Sequence, residues 1–402
     1  MVSSEERAER VRTFGGAPVN RKDDRWANIF GPAPDDPDRV ADWVKAGEPF
    51  VEEARKQAGG PIDYVVSHAG ERSFPRSFQL LSEGGVLTFF GASSGYRFTF
   101  VGKSGGAKVR DMLLKGGLRA GRSVLINYGP GAEDGIVDPV AIEAIEIACD
   151  LNARVVALAD TVSQREFVTS LGFGSAFAGV VSIEELARRF GDEFDPPGPL
   201  APLPNAFTEQ AEFKEAVRRF SDRTLKPIGS AVGPLLRTYS DRRGLPDIVF
   251  ERRGRDSLPL ATSLVKPNVG TIVYAEDLEG ARFSFYAPQV WMRQRRIIMP
   301  TAEIRGTHLN TAREFAEMQE KLSAGFIDIV SPTAVPLEQI AGAHQAMWEN
   351  RHAGATYVAV HGLPRLGLKT KEELYRAWAI REAEAKGVRM GRIDTGSAGA
   401  LR

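Results

Sequence analysis

Apolar residues along this chain gather into short runs, and loops rich in glycine, proline and charge break them up. The runs DYVVS at 63–67, VLTFFGA at 86–92, GRSVLINY at 121–128 and ARVVALAD at 153–160 are continuous rather than alternating. Runs of that length and character suit strands of a parallel sheet buried on both faces. Helical stretches separate them: one near 73–81, DPVAIEAIEIACDLN at 138–152 and SQREFVTSLG at 163–172. Asp138 stands as an N-cap, with Pro139 at the first helical position. Strands alternating with helices in this way predict βαβ units.

The pattern also repeats. PIDYVVSHAGERSFPRSFQLL at 61–81 returns as LPDIVFERRGRDSLPLATSLV at 245–265. Asp63, Val65, Gly70, Ser73, Pro75 and Leu80 fall opposite Asp247, Val249, Gly254, Ser257, Pro259 and Leu264, all offset by 184. After a slip of one residue, Gly95, Phe98 and Phe100 meet Gly280, Phe283 and Phe285. A duplicated supersecondary unit explains identities held in one register. The expected fold is α/β, with two tandem Rossmann-like units on parallel sheets, the first incomplete at its N-terminus. Copy one covers 1–118 and copy two 119–365, the latter carrying a Pro-rich insertion near 191–205 and a C-terminal segment. Residues 366–402 add a helix, at 370–387, and a loose tail. Helix, glycine and strand in EERAERVRTFGGAPVNRK match in kind REFVTSLGFGSAFAGVV of copy two. Nothing earlier in copy one supplies the first strand and its glycine turn, so the chain reads as the C-terminal part of something longer. Prolines crowd both IFGPAPDDPD at 29–38 and GDEFDPPGPLAPLPN at 191–205, which read as surface loops.

Composition narrows the function classes. The chain has 402 residues, 43% hydrophobic and 26% charged, as in soluble globular proteins. Lys+Arg and Asp+Glu both number 52, which argues against a whole-protein role on nucleic acid. Cys149 is the single cysteine, so neither an internal disulfide nor a Cys-rich metal site can form. No apolar run is long enough to cross a bilayer, and the charged start does not resemble a secretory signal. A cytoplasmic protein without membrane contact is the expectation.

Candidate chemistry sits at strand ends. Gly129, Pro130 and Gly131, with Gly135 further on, follow the strand SVLINY and precede a helix. This is the context in which backbone approaches a pyrophosphate, or simply a tight turn. Asp160 ends the next strand, where an acid accepts hydrogen bonds from ribose hydroxyls or caps a helix. Gly91, Ala92, Ser93, Ser94 and Gly95 follow VLTFF at the carboxyl end of a strand, where open parallel sheets bind ligands. His68 lies just after DYVVS on the same edge, while copy two has the bulkier AEDLEG opposite the glycine turn. Arg293, Arg295 and Arg296 cluster in WMRQRR, as guanidiniums do for phosphate groups or on a solvated face. Gly102, Lys103 and Ser104 end like a P-loop, but the spacing and the apolar YRFTFV before them exclude it. His308, His344, His352 and His361 lack metal spacing, and no GxSxG elbow occurs.

SHAGERSFPRS and WMRQRR, with GTHLNTAREFAEMQEKLSAGFIDIV and VPLEQIAGAHQAMWENRHAGATYVAV, resemble the medium-chain dehydrogenase/reductase superfamily in its enoyl-CoA reductase branch. The doubled unit is similar to the reductase module of propionyl-CoA synthases, over roughly residues 8–365. The resemblance implies that His68, Ala69 and Gly70, with Gly91, Ala92, Ser93 and Ser94, line the nicotinamide side of an NADPH site. It implies hydride transfer to the β-carbon of an α,β-unsaturated acyl-CoA such as acryloyl-CoA, with other modules of a multienzyme or a second copy as partners. Carboxylating members of that branch are expected to carry a histidine two residues after the Gly-Tyr pair. Here Gly95-Tyr96 is followed by Arg97 and Phe98, which points to simple reduction. The branch's NADPH preference conflicts with Asp160, which favours NADH, unless copy one binds the cofactor and copy two is a structural duplicate.

Overall fold

The computed structural model describes residues 1–307 apart from 3, 14, 27, 69, 93, 130–134, 207 and 238–243, together with 312–324, 333–349 and 356–359. Met1–His308 form one compact unit and Leu309–Arg402 another. In the first unit the strands are β1 (Tyr64–Ser67), β2 (Gly85–Phe89), β3 (Arg97–Val101), β4 (Ser123–Asn127), β5 (Arg154–Ala159), β6 (Phe177–Ser182), β7 (Ile248–Glu251), β8 (Thr271–Val273), β9 (Arg282–Tyr286), β10 (Arg296–Ile298) and β11 (Ala302–Gly306). In the second unit β12 (Thr333–Pro336) and β13 (Thr356–Ala359) pair in parallel, and the helix Ile340–Trp348 lies between them in sequence. No helix among the described residues is long and apolar enough to cross a membrane.

Nine strands form one sheet, ordered β1-β2-β11-β10-β8-β7-β4-β5-β6. The strands of β4 and β5 are apolar almost throughout because helices cover both of their faces, as the continuous runs predict. The helix Pro139–Asp150 starts where the sequence places it. Asp138 caps it by accepting from the Ala141 N–H at 3.2 Å. Thr161 and Gln164 make a reciprocal capping box on Val162–Ser170. Strands β6-β5-β4-β7-β8-β10 keep the doubly wound order, with the reversal between β4 and β7.

The two copies do not build separate sheets. They are halves of a single sheet related by an internal two-fold. Every neighbouring pair is parallel except β10–β11, which is antiparallel and centred on Ile297 opposite Ile304. β1 and β2 of copy one correspond to β7 and β8 of copy two, and β11 flanks β2 as β10 flanks β8. Above the sheet, β3 and β9 pair antiparallel about Thr99 opposite Ser284, which are repeat equivalents. Phe100 stacks on Phe283 across this pair, with centroids 4.8 Å apart.

The Pro-rich stretches are, as expected, largely exposed loops, but each buries one anchor on the paired strands β3 and β9, and the two anchors are two-fold mates. Ala33 donates its N–H to Thr99 Oγ1 at 2.8 Å, and Leu200 donates its own to Ser284 Oγ at 3.2 Å. Ala33 and Leu200 are both buried. Asp35 lies over the two-fold and pairs with the repeat equivalents Arg97, at 2.6 Å, and Arg282, at 2.5 Å. Burial pushes the Asp35 carboxyl up, but the two guanidiniums prevail and hold it below its ordinary value. Prolines suit these segments because they cross the strands without joining a ladder.

Candidate functional site

The repeat makes it possible to compare two equivalent strand edges. In copy one, β1 ends at Ser67 and delivers His68; β2 ends at Phe89 and delivers Gly91. The His68 ring is exposed and stacks on Phe90, with centroids 5.0 Å apart. A Cβ at Gly91 would sit 3.2 Å from His68 Nε2, and Gly91 has φ +65°, so a side chain there meets both strain and the imidazole. Gly70, also at positive φ, turns the chain from β1 into the helix Phe74–Gln79. Ser94 Oγ accepts from the Arg72 N–H at 3.2 Å and ties the glycine turn after β2 to the turn after β1. His68, Gly70, Gly91, Ala92 and Ser94 therefore gather at one edge. Ala69 and Ser93 lie outside the described residues.

Two further residues at this edge carry no sequence motif. Ser73 is 2% exposed, and its Oγ has no hydrogen-bond partner among the described residues. Glu71 is half-buried and accepts from the Arg97 N–H at 3.2 Å; burial raises its carboxyl above the ordinary range against the pull of Arg97. The alignment of Ser73 with Ser257 is a signal for the first, although it reads equally as a helix start.

In copy two the same positions fill their own space. Arg252 stands where His68 does and Glu276 where Gly91 does, and the two form an ion pair. Arg252 also pairs at 3.0 Å with Asp138, which is 1% exposed. Glu251, the counterpart of Ser67, is buried and accepts from Ser257 Oγ, from Asn127 Nδ2 at 2.7 Å and from the Arg253 N–H at 2.9 Å. Burial pushes the Glu251 carboxyl up to about 7, although these donors and the Arg253 charge oppose the shift.

Gly129, the described start of the glycine turn of copy two, is enclosed in the same way. A Cβ on Gly129 would lie 2.6 Å from the Arg252 carbonyl and 2.7 Å from Asp138 Oδ2, so the glycine is required by packing within the chain. Gln164 Nε2 donates to the carbonyls of Gly129, at 3.2 Å, and Gly135, at 2.9 Å. Asp160 pairs with Arg253 at 2.6 Å. Burial raises its carboxyl, and Arg253 opposes the rise. Gly131 lies outside the described residues.

The arginine run is dispersed rather than clustered. Arg295 is 3% exposed and donates to the carbonyls of Thr262, Ser263 (3.3 Å) and Gln289 (2.9 Å), capping the helix Leu258–Leu264. Its guanidinium is thereby committed to the fold, and burial lowers its pKa to about 9. Arg296 pairs at 2.7 Å with Glu303 beside the two-fold, and Arg293 is exposed. Lys103 donates to the Leu81 carbonyl, consistent with the exclusion of a P-loop. No group of three or more metal-ligating side chains occurs among the described residues. His308, His352, His361 and the stretch 370–387 lie outside the described residues.

No family model matches the chain. The crotonyl-CoA carboxylase/reductase of Cereibacter sphaeroides is 24% identical over 131 residues, which is 33% of this chain and 29% of that protein. A solved crotonyl-CoA carboxylase/reductase is 23% identical with a TM-score of 0.34, covering 67% of this chain and 54% of its own. A 2-octenoyl-CoA carboxylase reductase solved with NADP and 2-octenoyl-CoA is 19% identical, TM-score 0.31, over 68% of this chain and 52% of its own. A thermostable alcohol dehydrogenase from Pyrobaculum aerophilum is 16% identical, TM-score 0.28, over 64% and 56% respectively. The chain thus spans about half the length of these solved proteins, and the curated protein it resembles in sequence is an enoyl-CoA carboxylase/reductase.

Proposed function

We propose that copy one carries the nicotinamide-facing edge of an NADPH-dependent enoyl-CoA reductase, and that copy two is its structural duplicate. One observation carries this reading. Among the described residues, no ion pair joins the two turns that bear His68, Gly70, Gly91 and Ala92, whereas Arg252, Asp138 and Glu276 close the equivalent edge. Open carboxyl ends of parallel strands are where such sheets bind cofactors. The residues fit the group. Gly91 leaves room beside the imidazole, and the buried Ser73 hydroxyl offers a polar atom with no partner among the described residues. Ala69 and Ser93 complete the turns in sequence.

The cofactor supplies hydride to the β-carbon of an α,β-unsaturated acyl-CoA, and a proton reaches the α-carbon. The chain's own part would be to orient the ring: His68, stacked on Phe90, and the backbone of Gly91 and Ala92 would hold it. Asp160 makes no case for NADH in this arrangement, because it belongs to the closed edge. The substrate we favour is a short enoyl-CoA of the acryloyl-CoA type, met within a larger assembly. Reductive carboxylation is the second reading, and the name of the curated relative supports it. Against it, Phe98 stands where the carboxylating branch is expected to place histidine, and it is buried against Phe74 with centroids 4.4 Å apart.

The test is NADPH and NADH binding by saturation-transfer NMR, followed by cofactor oxidation with acryloyl-CoA, with and without bicarbonate. We expect nicotinamide protons to be saturated and His68→Ala to abolish the signal. Asp160→Asn should leave it unchanged, and the product should be the same with bicarbonate. Loss of binding in Asp160→Asn but not in His68→Ala would move the site to copy two, and a carboxylated product would establish the second reading.

A further inference from the structure

Reducing a conjugated double bond takes a proton as well as a hydride, and the edge of copy one contains a group suited to give it. Among the described residues from His68 to Ser73 and from Gly91 to Tyr96, Glu71 is the one carboxyl group. It leaves the turn after β1 and reaches across to the turn after β2, where Oε2 accepts from the Arg97 N–H at 3.2 Å. A Cβ on Gly95 would sit 2.2 Å from the same oxygen, so the bare glycine makes the room in which the carboxyl lies. Oε1 has no hydrogen-bond partner among the described residues and is not sealed from solvent. The titratable and charged groups at this place are His68 and Arg72 on its own turn, Tyr96 on the other and Arg97 on β3. Tyr96 packs into a ring cluster with Phe213, Tyr286 and Trp291. Arg97 alone bears on the carboxyl, and its guanidinium is turned to Asp35 and the Leu200 carbonyl rather than to Glu71. Burial outweighs that charge, so Glu71 keeps its proton to higher pH than an exposed glutamate does. At the offset of 184 its counterpart is Arg255, so copy two carries no acid at the equivalent position.

We propose that Glu71 is the general acid that protonates the α-carbon of the enoyl thioester, a role that rests on the reductase reading above. Hydride addition at the β-carbon moves the electron pair of the double bond to the α-carbon, as a thioester enolate. The Glu71 O–H bond then breaks and a C–H bond forms at the α-carbon, while the O–H electron pair stays on the carboxylate. Water at the exposed side of the turn returns the proton. The anchored oxygen fixes the position of the group, and the open one carries the proton.

The experiment compares the full chain with Glu71→Gln, whose amide oxygen can still accept from the Arg97 N–H. Without cofactor, carboxyl carbon NMR of glutamate-labelled protein locates the Glu71 titration by the signal that the variant lacks. We expect its midpoint above 4.5, the ordinary value. NADPH binding by saturation transfer should be equal in the two proteins, while turnover of acryloyl-CoA falls by at least about a hundredfold in the variant. Wild-type kcat should fall as pH rises through the NMR midpoint, because only the protonated acid donates, and the variant should show no such limb. In D2O the wild type should place deuterium on one face of the α-carbon, and the variant, protonated by solvent, on both. A wild type that neither binds NADPH nor reduces acryloyl-CoA would overturn the reductase reading and this role with it. Turnover and one-sided deuteration that survive in Glu71→Gln would overturn the role alone, as would a wild-type kcat that stays level through the NMR midpoint. Loss of NADPH binding in Glu71→Gln would also overturn it, since the carboxyl would then serve only to hold the two turns together.

Discussion

Glu251 should make this protein less stable as the pH rises through the weakly acidic range. Its carboxyl is wholly buried at the end of β7, and burial lifts its pKa from 4.5 to about 7. The folded chain therefore keeps the proton to about pH 7, while the unfolded chain releases it near 4.5. Between these values the unfolded state binds fewer protons, so stability is full below about 4.5, falls as pH rises, and levels off above about 7. At roughly 1.4 kcal/mol per pKa unit the total loss is about 3 kcal/mol. Glu251→Gln keeps the shape and removes the titration. Its amide can donate to Asn127 once that side chain turns over, since Asn127 Oδ1 has no partner among the described residues. The other oxygen can still accept from Ser257 and the Arg253 N–H. Urea unfolding of both proteins at pH 5 and pH 8 checks this. With a slope of about 3 kcal/mol per M, the wild-type midpoint should fall by about 1 M more than that of the variant. Equal shifts in the two proteins would refute the argument, because other titrating groups are common to both.

Two further perturbations probe copy two and the two-fold. Arg252→Met should cost about 3 kcal/mol in urea unfolding, because it leaves the buried Asp138 carboxylate without its cation. Adding Asp138→Asn should recover most of the loss, since asparagine still caps the helix from Pro139. Phe283→Ala, which removes the ring stacked on Phe100, should cost about 4 kcal/mol. A loss below about 1 kcal/mol would mean that the site collapses around the missing ring.

Much of the architecture follows from local features of the sequence. Continuous apolar runs place β1, β2, β4 and β5; in β4 and β5 this is because strands buried on both faces need no polar side, whereas β1 carries the same kind of run with Tyr64 and Val66 exposed on one face. Asp138 and Pro139 mark a helix start, since a cap acts within three residues of itself. The offset of 184 relates β1 to β7 before any coordinates are known. Tertiary structure decides what depends on distant partners. That both copies share one sheet rests on β11 lying beside β2, more than two hundred residues away in sequence. The Pro-rich loops hold β3 and β9 through Thr99 and Ser284, which no local pattern signals. Arg295 reads as one of a surface cluster but lies beneath the carbonyls that end a helix about thirty residues earlier. Which strand edge is open is decided in the same way: His68 and Arg252 occupy equivalent places, and only the acids that fold brings to Arg252 close one of them. Capping and burial patterns act between near neighbours and can be read along the chain, whereas ion pairs and sheet neighbours are chosen by contacts that exist only after the chain has folded.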